Sequence, residues 1–308
     1  MSSVSILFLG AGKRLTLLEY FRAAALAENL SLSLWAVEMS DKVPISVSAN
    51  ILVGPRFEDP EFDAFLLQTT ARLKIDMVIP NMDSATVALS RLQPRLCQQG
   101  TWAVVSDPGL CTTMYDKFAA EQWFLQHSIP IPLGDGYSRI AKRRFGFGSR
   151  DQFIARDEAE LQLFLSRRDP ADYLVQPCVE GQEYTVDAYV DRSGRFLVAL
   201  SRKRLEVIAG EVDVSLTHHH PGILSWTGRI LSLGGWQGPI TLQFIDSPAG
   251  PLAVEINPRF GGGVTHSIHC GVDMPRWLLR EQLGLPIEPP PDWPDGSLMT
   301  RCRRDIYL

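Results

Sequence analysis

Through its first third the chain alternates short, unbroken apolar runs with longer stretches in which apolar residues recur every three or four positions. Residues 5–9, 32–37, 77–79 and 102–105 read as buried strands, and residues 16–27, 61–73 and 84–96 as helices. Strands apolar on both faces and separated by amphipathic helices predict a parallel sheet covered on both sides, an α/β lobe.

The pattern then changes. A helix over 115–127 leads through Ile129-Pro-Ile-Pro132, whose prolines stiffen a connection. A strand over 138–145, a Gly/Ser loop over 146–150, a short strand over 152–155 and a helix opening at Asp157 follow; Asp157 and Glu160 have the spacing of a capping box. Strands are predicted over 173–179, 183–190 and 195–202, the last two joined by an Asp-Arg-Ser-Gly turn, so this middle part is α+β. The Pro-rich stretch 286–294 reads as a surface connection to a final strand over 299–308. Three segments are expected: 1–112, 113–200 with the glycine loop, and 201–308.

Alternation is most telling between Thr241 and Asn257. Two apolar-rich runs flank Ser-Pro-Ala-Gly, and a turn centred near Ala249 sets Gln243 opposite Glu255 and Thr241 opposite Asn257. Successive strand residues point to opposite faces. Gln243, Glu255 and Asn257 therefore share one face, and Leu242, Phe244, Val254 and Ile256 the other. One carboxylate and two amide oxygens suit a hard cation such as Mg2+, which completes its shell with water and substrate phosphate oxygens. Pro258 ends the strand, Arg259 can hold a phosphate by a charge-assisted fork, and Gly261, Gly262 and Gly263 let backbone approach a ligand.

Composition narrows the partners. With 35 acidic and 30 basic residues and no long basic run, nucleic acid is not expected as a partner. The five cysteines are scattered without Cys-x-x-Cys spacing, against a zinc site or a disulfide framework. The apolar run at 4–11 lacks a preceding basic residue and reads as a first strand; no run approaches membrane-spanning length, so a cytoplasmic protein without membrane contact is expected. The Gly10-Ala-Gly-Lys-Arg-Leu15 turn lacks the third glycine of a dinucleotide fingerprint and the Ser or Thr of a phosphate loop, so a tight strand-to-helix turn is favoured over an NAD site.

The order of these pieces resembles the ATP-grasp superfamily: an α/β lobe, a strand bearing Lys142, a glycine loop, Gln176-Pro-Cys-Val-Glu-Gly-Gln-Glu183, a basic strand, and the Gln243…Glu255-x-Asn257 hairpin with Arg259. It looks most like the ATP-binding halves of the carbamoyl-phosphate synthase large subunit and related stand-alone ligases. The resemblance implies a Rossmann-like pre-ATP-grasp lobe followed by a two-lobed ATP-grasp domain. It implies ATP and Mg2+ (or Mn2+) as cofactors, with Gln243, Glu255 and Asn257 on the metal. Lys142 and Lys117 would meet phosphates, and Gly146, Gly148 and Ser149 would close over them. Backbone at Cys178 and Val179, beside Gln176, would read adenine, and Glu183 would accept the ribose hydroxyls. Arg202, Arg204 and Arg259 would face the transferring phosphoryl group.

The activity so implied is ATP-dependent ligation of a carboxylate to an amine or a thiol through an acyl phosphate, with Glu255, Arg202 and Arg259 at its centre, small carboxylates and amines as partners, and room for a homodimer. A non-catalytic ATP-binding regulator of the same fold is the alternative. Selectivity for the acceptor is expected from Glu38, Asp83 and residues 261–269, with His266 and His269 as candidates to line its pocket; His218, His219 and His220 read as a polar loop.

Overall fold

The computed structural model describes residues 2–146, 151–288 and 292–308. The first lobe runs β1 (Ser3–Leu9), α1 (Leu15–Ala27), β2 (Ser31–Glu38), β3 (Asn50–Val53), α2 (Phe62–Leu73), β4 (Met77–Pro80), α3 (Asp83–Gln98) and β5 (Trp102–Ala103). Its strands form a five-stranded sheet in the order β3-β2-β1-β4-β5, and every pairing is parallel. β1 explains the unbroken apolar run: Ile6 and Phe8 pack into one core with Leu17 and Phe21 of α1, while Leu7 and Leu9 pack into another with Phe62, Leu66 and Leu89 of α2 and α3. Strand order reverses between β1 and β4, so their C-terminal ends open a crevice of the kind in which α/β sheets bind ligands.

The helix expected over 115–127 is α5 (Lys117–Gln126), and a further helix that was not expected, α4 (Pro108–Tyr115), precedes it. Asp116 divides them: its backbone is extended, and its carboxylate accepts from the Phe118 amide at 3.0 Å, capping α5.

β6 (Arg139–Arg143), β7 (Phe153–Ala155), α6 (Glu158–Leu165) and β8 (Tyr173–Pro177) come next. They make a three-stranded sheet ordered β7-β6-β8 with a small core of its own, Ala141, Ala155, Leu161 and Tyr173. Asp157 caps α6 by accepting from the Glu160 amide at 2.9 Å, as its spacing predicts.

The remaining elements are β9 (Gln182–Val190), β10 (Phe196–Ile208), β11 (Glu211–Thr217), α7 (Pro221–Leu231), β12 (Gly238–Ser247), β13 (Gly250–Asn257), α8 (Val264–His269), α9 (Met274–Gln282) and β14 (Leu298–Thr300). The six strands pair in the order β13-β12-β9-β10-β11-β14, all antiparallel. Here the expected division differs. β9 and β10 join this large sheet rather than that of β8, and a boundary at 200 falls inside β10; the two sheets part between β8 and β9. The final strand is shorter than expected, ending at Thr300.

The first lobe and the large sheet share one core. Phe21 lies edge-on to Phe8 and to Phe260 at 5.2 and 6.1 Å, with Trp277 and Tyr189 in the same cluster. Glu28, at the end of α1, binds Arg276 and Arg280 of α9 at 2.5 and 2.9 Å. No helix among the described residues is long and apolar enough to cross a membrane.

Candidate functional site

The hairpin of β12 and β13 has the predicted register: Gln243 faces Glu255 and Thr241 faces Asn257, closed by a turn at Pro248 and Ala249 between paired Ser247 and Gly250. One residue departs from the expected alternation. A bulge lies between Gln243 and Phe244, which pairs with Ala253, leaving Val254 as the extra residue. Ala253 thus takes Val254's expected place in the core beside Leu242, Phe244 and Ile256. The polar face keeps its set. Directly opposed side chains start about 5 Å apart at Cβ, so Gln243 and Glu255 can reach one ion, and Asn257 follows two positions on along the same strand. Among the described residues no group of three or more His, Cys, Asp or Glu side chains could hold a metal. The residues here fit Mg2+ only in the phosphate-completed manner their chemistry suggests.

Arg259 follows directly, and burial alone would lower its pKa. Asp83 at the start of α3 reverses that: Nε donates to Oδ1 at 2.6 Å and Nη2 to Oδ2 at 2.8 Å, and the net shift is upward. Nη2 also reaches Asn257 Oδ1 at 3.3 Å, so this arginine ties the ligand face to the first lobe.

On the small sheet Lys142 donates to Gln176 Oε1 at 3.1 Å, and Gln176 donates to Glu121 at 2.6 Å. Burial holds the Lys142 pKa down, while Glu255 acts in the opposite direction. The cation of one sheet thus feels the carboxylate of the other. Its basic neighbours are engaged elsewhere, Arg143 with Asp151 at 3.2 Å and Arg144 with Asp116 at 2.6 Å. Lys117 donates to the Gly146 carbonyl at 3.0 Å; Gly148 and Ser149 lie outside the described residues. The Cys178 amide donates to the Ser138 carbonyl at 2.8 Å and is therefore already engaged. Glu183 pairs with Arg204 at 3.0 Å, whose pKa burial lowers.

Arg202 is the largest fully buried side chain. Its Nε donates to Asp187 Oδ2 at 3.0 Å, the same oxygen that accepts from Ser267 at 2.6 Å. Among the described residues Nη1 has no hydrogen-bond partner. The glycine run is shaped to this cluster: a Cβ on Gly263 would lie 2.6 Å from Arg202 Nη1, and one on Gly261 would lie 2.6 Å from Thr241 Oγ1.

The histidines do not line an acceptor pocket. His266 is buried against Ser215 at 2.8 Å, and His269 is exposed; α8 turns one inward and the other out. His218 contacts the Tyr184 hydroxyl at 2.9 Å, His219 stacks on Trp293, and His220 accepts from the Ile223 amide at 3.1 Å to cap α7. The end of the cleft toward the first lobe is built instead from that lobe's strand ends and the turns after them, where Arg14, Glu38, Asn81 and Asp83 enter it. Arg14 and Asn81 carry no motif; the glycine turn before Arg14 was the only signal. That turn is tight, as predicted: Gly10 has φ of +70°, and a Cβ there would lie 2.7 Å from Met82 Sδ.

The hairpin ligands and the cations around them line one cleft of about 870 Å³. Lys117, Lys142, Gly146, Gln176, Cys178, Val179 and Glu183 form one part of its wall, and Arg202, Arg204, Gln243, Glu255, Asn257 and Arg259 another.

Residues 169–303, a little under half of the chain, match a family described as ATP-grasp in the biosynthetic pathway with Ter operon. Curated proteins gave no sequence match. Solved structures resemble the chain over nearly its full length. The biotin carboxylase domain of Hydrogenobacter thermophilus 2-oxoglutarate carboxylase, crystallised with MgADP, ADP and bicarbonate, has a TM-score of 0.72 at 15% identity over 96% of this chain and 73% of that one. N5-carboxyaminoimidazole ribonucleotide synthetase from Thermus thermophilus gives 0.71 at 20% identity over 92% and 79%. N5-carboxyaminoimidazole synthetase from Staphylococcus aureus, complexed with ADP, gives 0.72 at 13% over 97% and 81%. The chain therefore has the ATP-grasp fold, and its residues 169–303 match an ATP-grasp family.

Proposed function

We propose that this protein is an ATP-dependent ligase that joins a carboxylate to an amine through an acyl phosphate, releasing ADP and phosphate. The observation that carries the reading is the pairing of Gln243 with Glu255, with Asn257 beside them, in the cleft where Lys142 feels the Glu255 charge. A hard-oxygen face opposite a cation is what a metal-bound triphosphate requires, and the similar structures crystallised with ADP support it.

In the reaction, a carboxylate oxygen attacks the γ-phosphorus, the bond to the β–γ bridging oxygen breaks, and ADP leaves. The amine nitrogen then attacks the acyl carbon, the carbon–oxygen bond to phosphate breaks, and the amine gives up a proton. Lys142 and Lys117 offset phosphate charge, and Arg202 Nη1, buried without a partner among the described residues, is set to donate to the transferring group. Gln176 and the Cys178–Val179 backbone border the adenine end, and Glu183, with Arg204 behind it, accepts from ribose. Mg2+ held by Gln243, Glu255 and Asn257 would supply charge neutralisation at the phosphates. Exclusion of water protects the acyl phosphate.

The test is release of ADP, phosphate and AMP, each measured separately, across a panel of small carboxylates paired with amines. ADP that requires both partners, with no AMP, supports the ligase; ADP release that ignores both, or a Glu255→Ala variant with unchanged turnover, sinks it.

A further inference from the structure

Where the first lobe meets the glycine run, the charges do not cancel. Those that act on Arg14 are Arg259, Glu211, Arg301 and Asp83, which makes three guanidiniums against two carboxylates. Both carboxylates are already engaged. Asp83 holds Arg259 at 2.6 Å, and Glu211, at the start of β11, holds Arg301, just past β14, at 3.0 Å. Arg14 is the cation left over: among the described residues no carboxylate bonds to it, and its one hydrogen bond runs from Nη1 to the Gly261 carbonyl at 3.1 Å.

The backbone brings these groups together. Arg301 Nη2 donates to the Gly262 carbonyl, so two guanidiniums sit on consecutive carbonyls of one short loop. Fixing Arg14 through Nη1 leaves its Nε and Nη2 without a partner among the described residues. That pair of donors is the fork with which Arg259 grips Asp83, and it matches a carboxylate. Space remains beside it: even a Cβ on Gly262 would stand 3.7 Å from Arg14 Nη1. Arg14, Arg259, Glu211 and the three glycines all line the cleft.

Burial, then the charge of Arg259, pull the Arg14 pKa down to about 10, so the group is still protonated at neutral pH. A half-buried guanidinium without a counter-ion costs folding free energy that an anionic ligand can recover. The surplus is a single charge. A monoanion cancels it, whereas a phosphate dianion would leave negative charge beside Glu211 and Asp83.

We propose that Arg14 is a monocarboxylate-binding site, its Nε and Nη2 holding the acid while Arg301 keeps Glu211 from taking that place. That the acid is the carboxylate substrate rests on the function proposed above; its binding does not.

The test is calorimetric titration of the full-length protein with acetate, propionate and butyrate at constant ionic strength, each beside its primary amide. At least one acid is expected to bind, and its amide about tenfold or more weaker, the scale of a lost charged hydrogen bond. Arg14→Gln should abolish that discrimination, and inorganic phosphate should fail to displace the acid from the unmodified protein. Two substitutions at the exposed end of the cluster, which the fold should tolerate, carry opposite signs. Glu211→Gln removes the competing carboxylate and should tighten acid binding about two- to fivefold, the scale of one exposed charge pair; Arg301→Gln releases Glu211 onto Arg14 and should weaken it by as much. A cluster serving only structure would not produce opposite shifts. The proposal is overturned if no acid binds, if the amide binds as well as its acid, if phosphate displaces the acid, if Arg14→Gln keeps the discrimination, or if the two outer variants shift affinity the same way. These titrations contain no ATP, so a failure of the ligase reading, seen as no substrate-dependent ADP release, leaves them standing.

Discussion

Asp83 and Arg259 grip each other through two hydrogen bonds, at 2.6 and 2.8 Å, that join the first turn of α3 to the residue just past the hairpin. The pair is nearly enclosed, with side chains 11% and 12% exposed. Removing one partner of such a pair leaves the other's charge stranded. Asp83→Ala is therefore expected to lower stability by about 3–5 kcal/mol, and adding Arg259→Met to recover part of the loss. Urea unfolding of both variants checks this; an unchanged midpoint for Asp83→Ala would remove the pair from any account of how the lobes hold together.

Lys142 and Glu255 are expected to fail differently when replaced. Lys142→Met removes a charged donor and should weaken MgATP binding about 10- to 100-fold while its metal dependence persists. With Glu255→Ala, ATP affinity should no longer rise on adding Mg2+ or Mn2+. Titration of ATP with and without each metal separates the two, and metal-enhanced binding by Glu255→Ala would dismiss the hairpin as the metal site.

Gly263→Ala should destabilise by about 1–3 kcal/mol, the usual cost of forcing a group into a packed core. The cause is space rather than backbone strain: the new methyl would sit 2.6 Å from Arg202 Nη1 and 2.7 Å from Val212 Cγ1, and Arg202 is fixed by Asp187. Gly262→Ala is the control, since its nearest neighbour lies at 3.7 Å. Equal melting temperatures for the two variants would refute the packing explanation.

Two groups make stability depend on pH with opposite sign. Burial, then the charge of Arg202, push His266 from 6.5 to about 4. Between those values the unfolded chain takes up a proton that the folded protein refuses, so this contribution is full above 6.5 and is lost as pH falls toward 4. Glu38, raised from 4.5 to about 7 by burial, holds a proton that the unfolded chain has released, so its contribution is full below 4.5 and lost as pH rises toward 7. Unfolding free energies across this range should show His266→Gln flattening the first slope and Glu38→Gln the second.

What was legible in the sequence follows the range of each interaction. The pairing of Gln243 with Glu255 needed only alternation and a two-residue turn, both local. Val254 escaped because a bulge shifts register without a mark in the residue types. Helix α4 went unread because the Pro108-Gly109 pair at its start looks like a turn, and its separation from α5 rests on Asp116, whose carboxylate caps α5 and also receives Arg144 from just past β6. Which sheet β9 joins is decided by partners beyond the reach of alternation. Glu38 and Asp83 could be named as places to look, but their contacts with Gly12 and Arg259 arise only when the strand ends converge. Arg14 stayed silent for the same reason, being an arginine after a turn until Gly261 is folded against it.

The aromatic core shared by the first lobe and the large sheet, set beside the separate small core under β6, β7 and β8, has a mechanical consequence. Swinging the first lobe away would expose Phe21, Phe260 and Trp277 together, at a cost of several kcal/mol, whereas the small sheet can tilt with its own interior intact. The cleft is thus a vice with one fixed jaw. Glu38 and Asn81, at the strand ends of the first lobe, belong to the fixed jaw, whose shape stays constant, whereas Lys142 and Gln176 ride on the sheet whose core is its own.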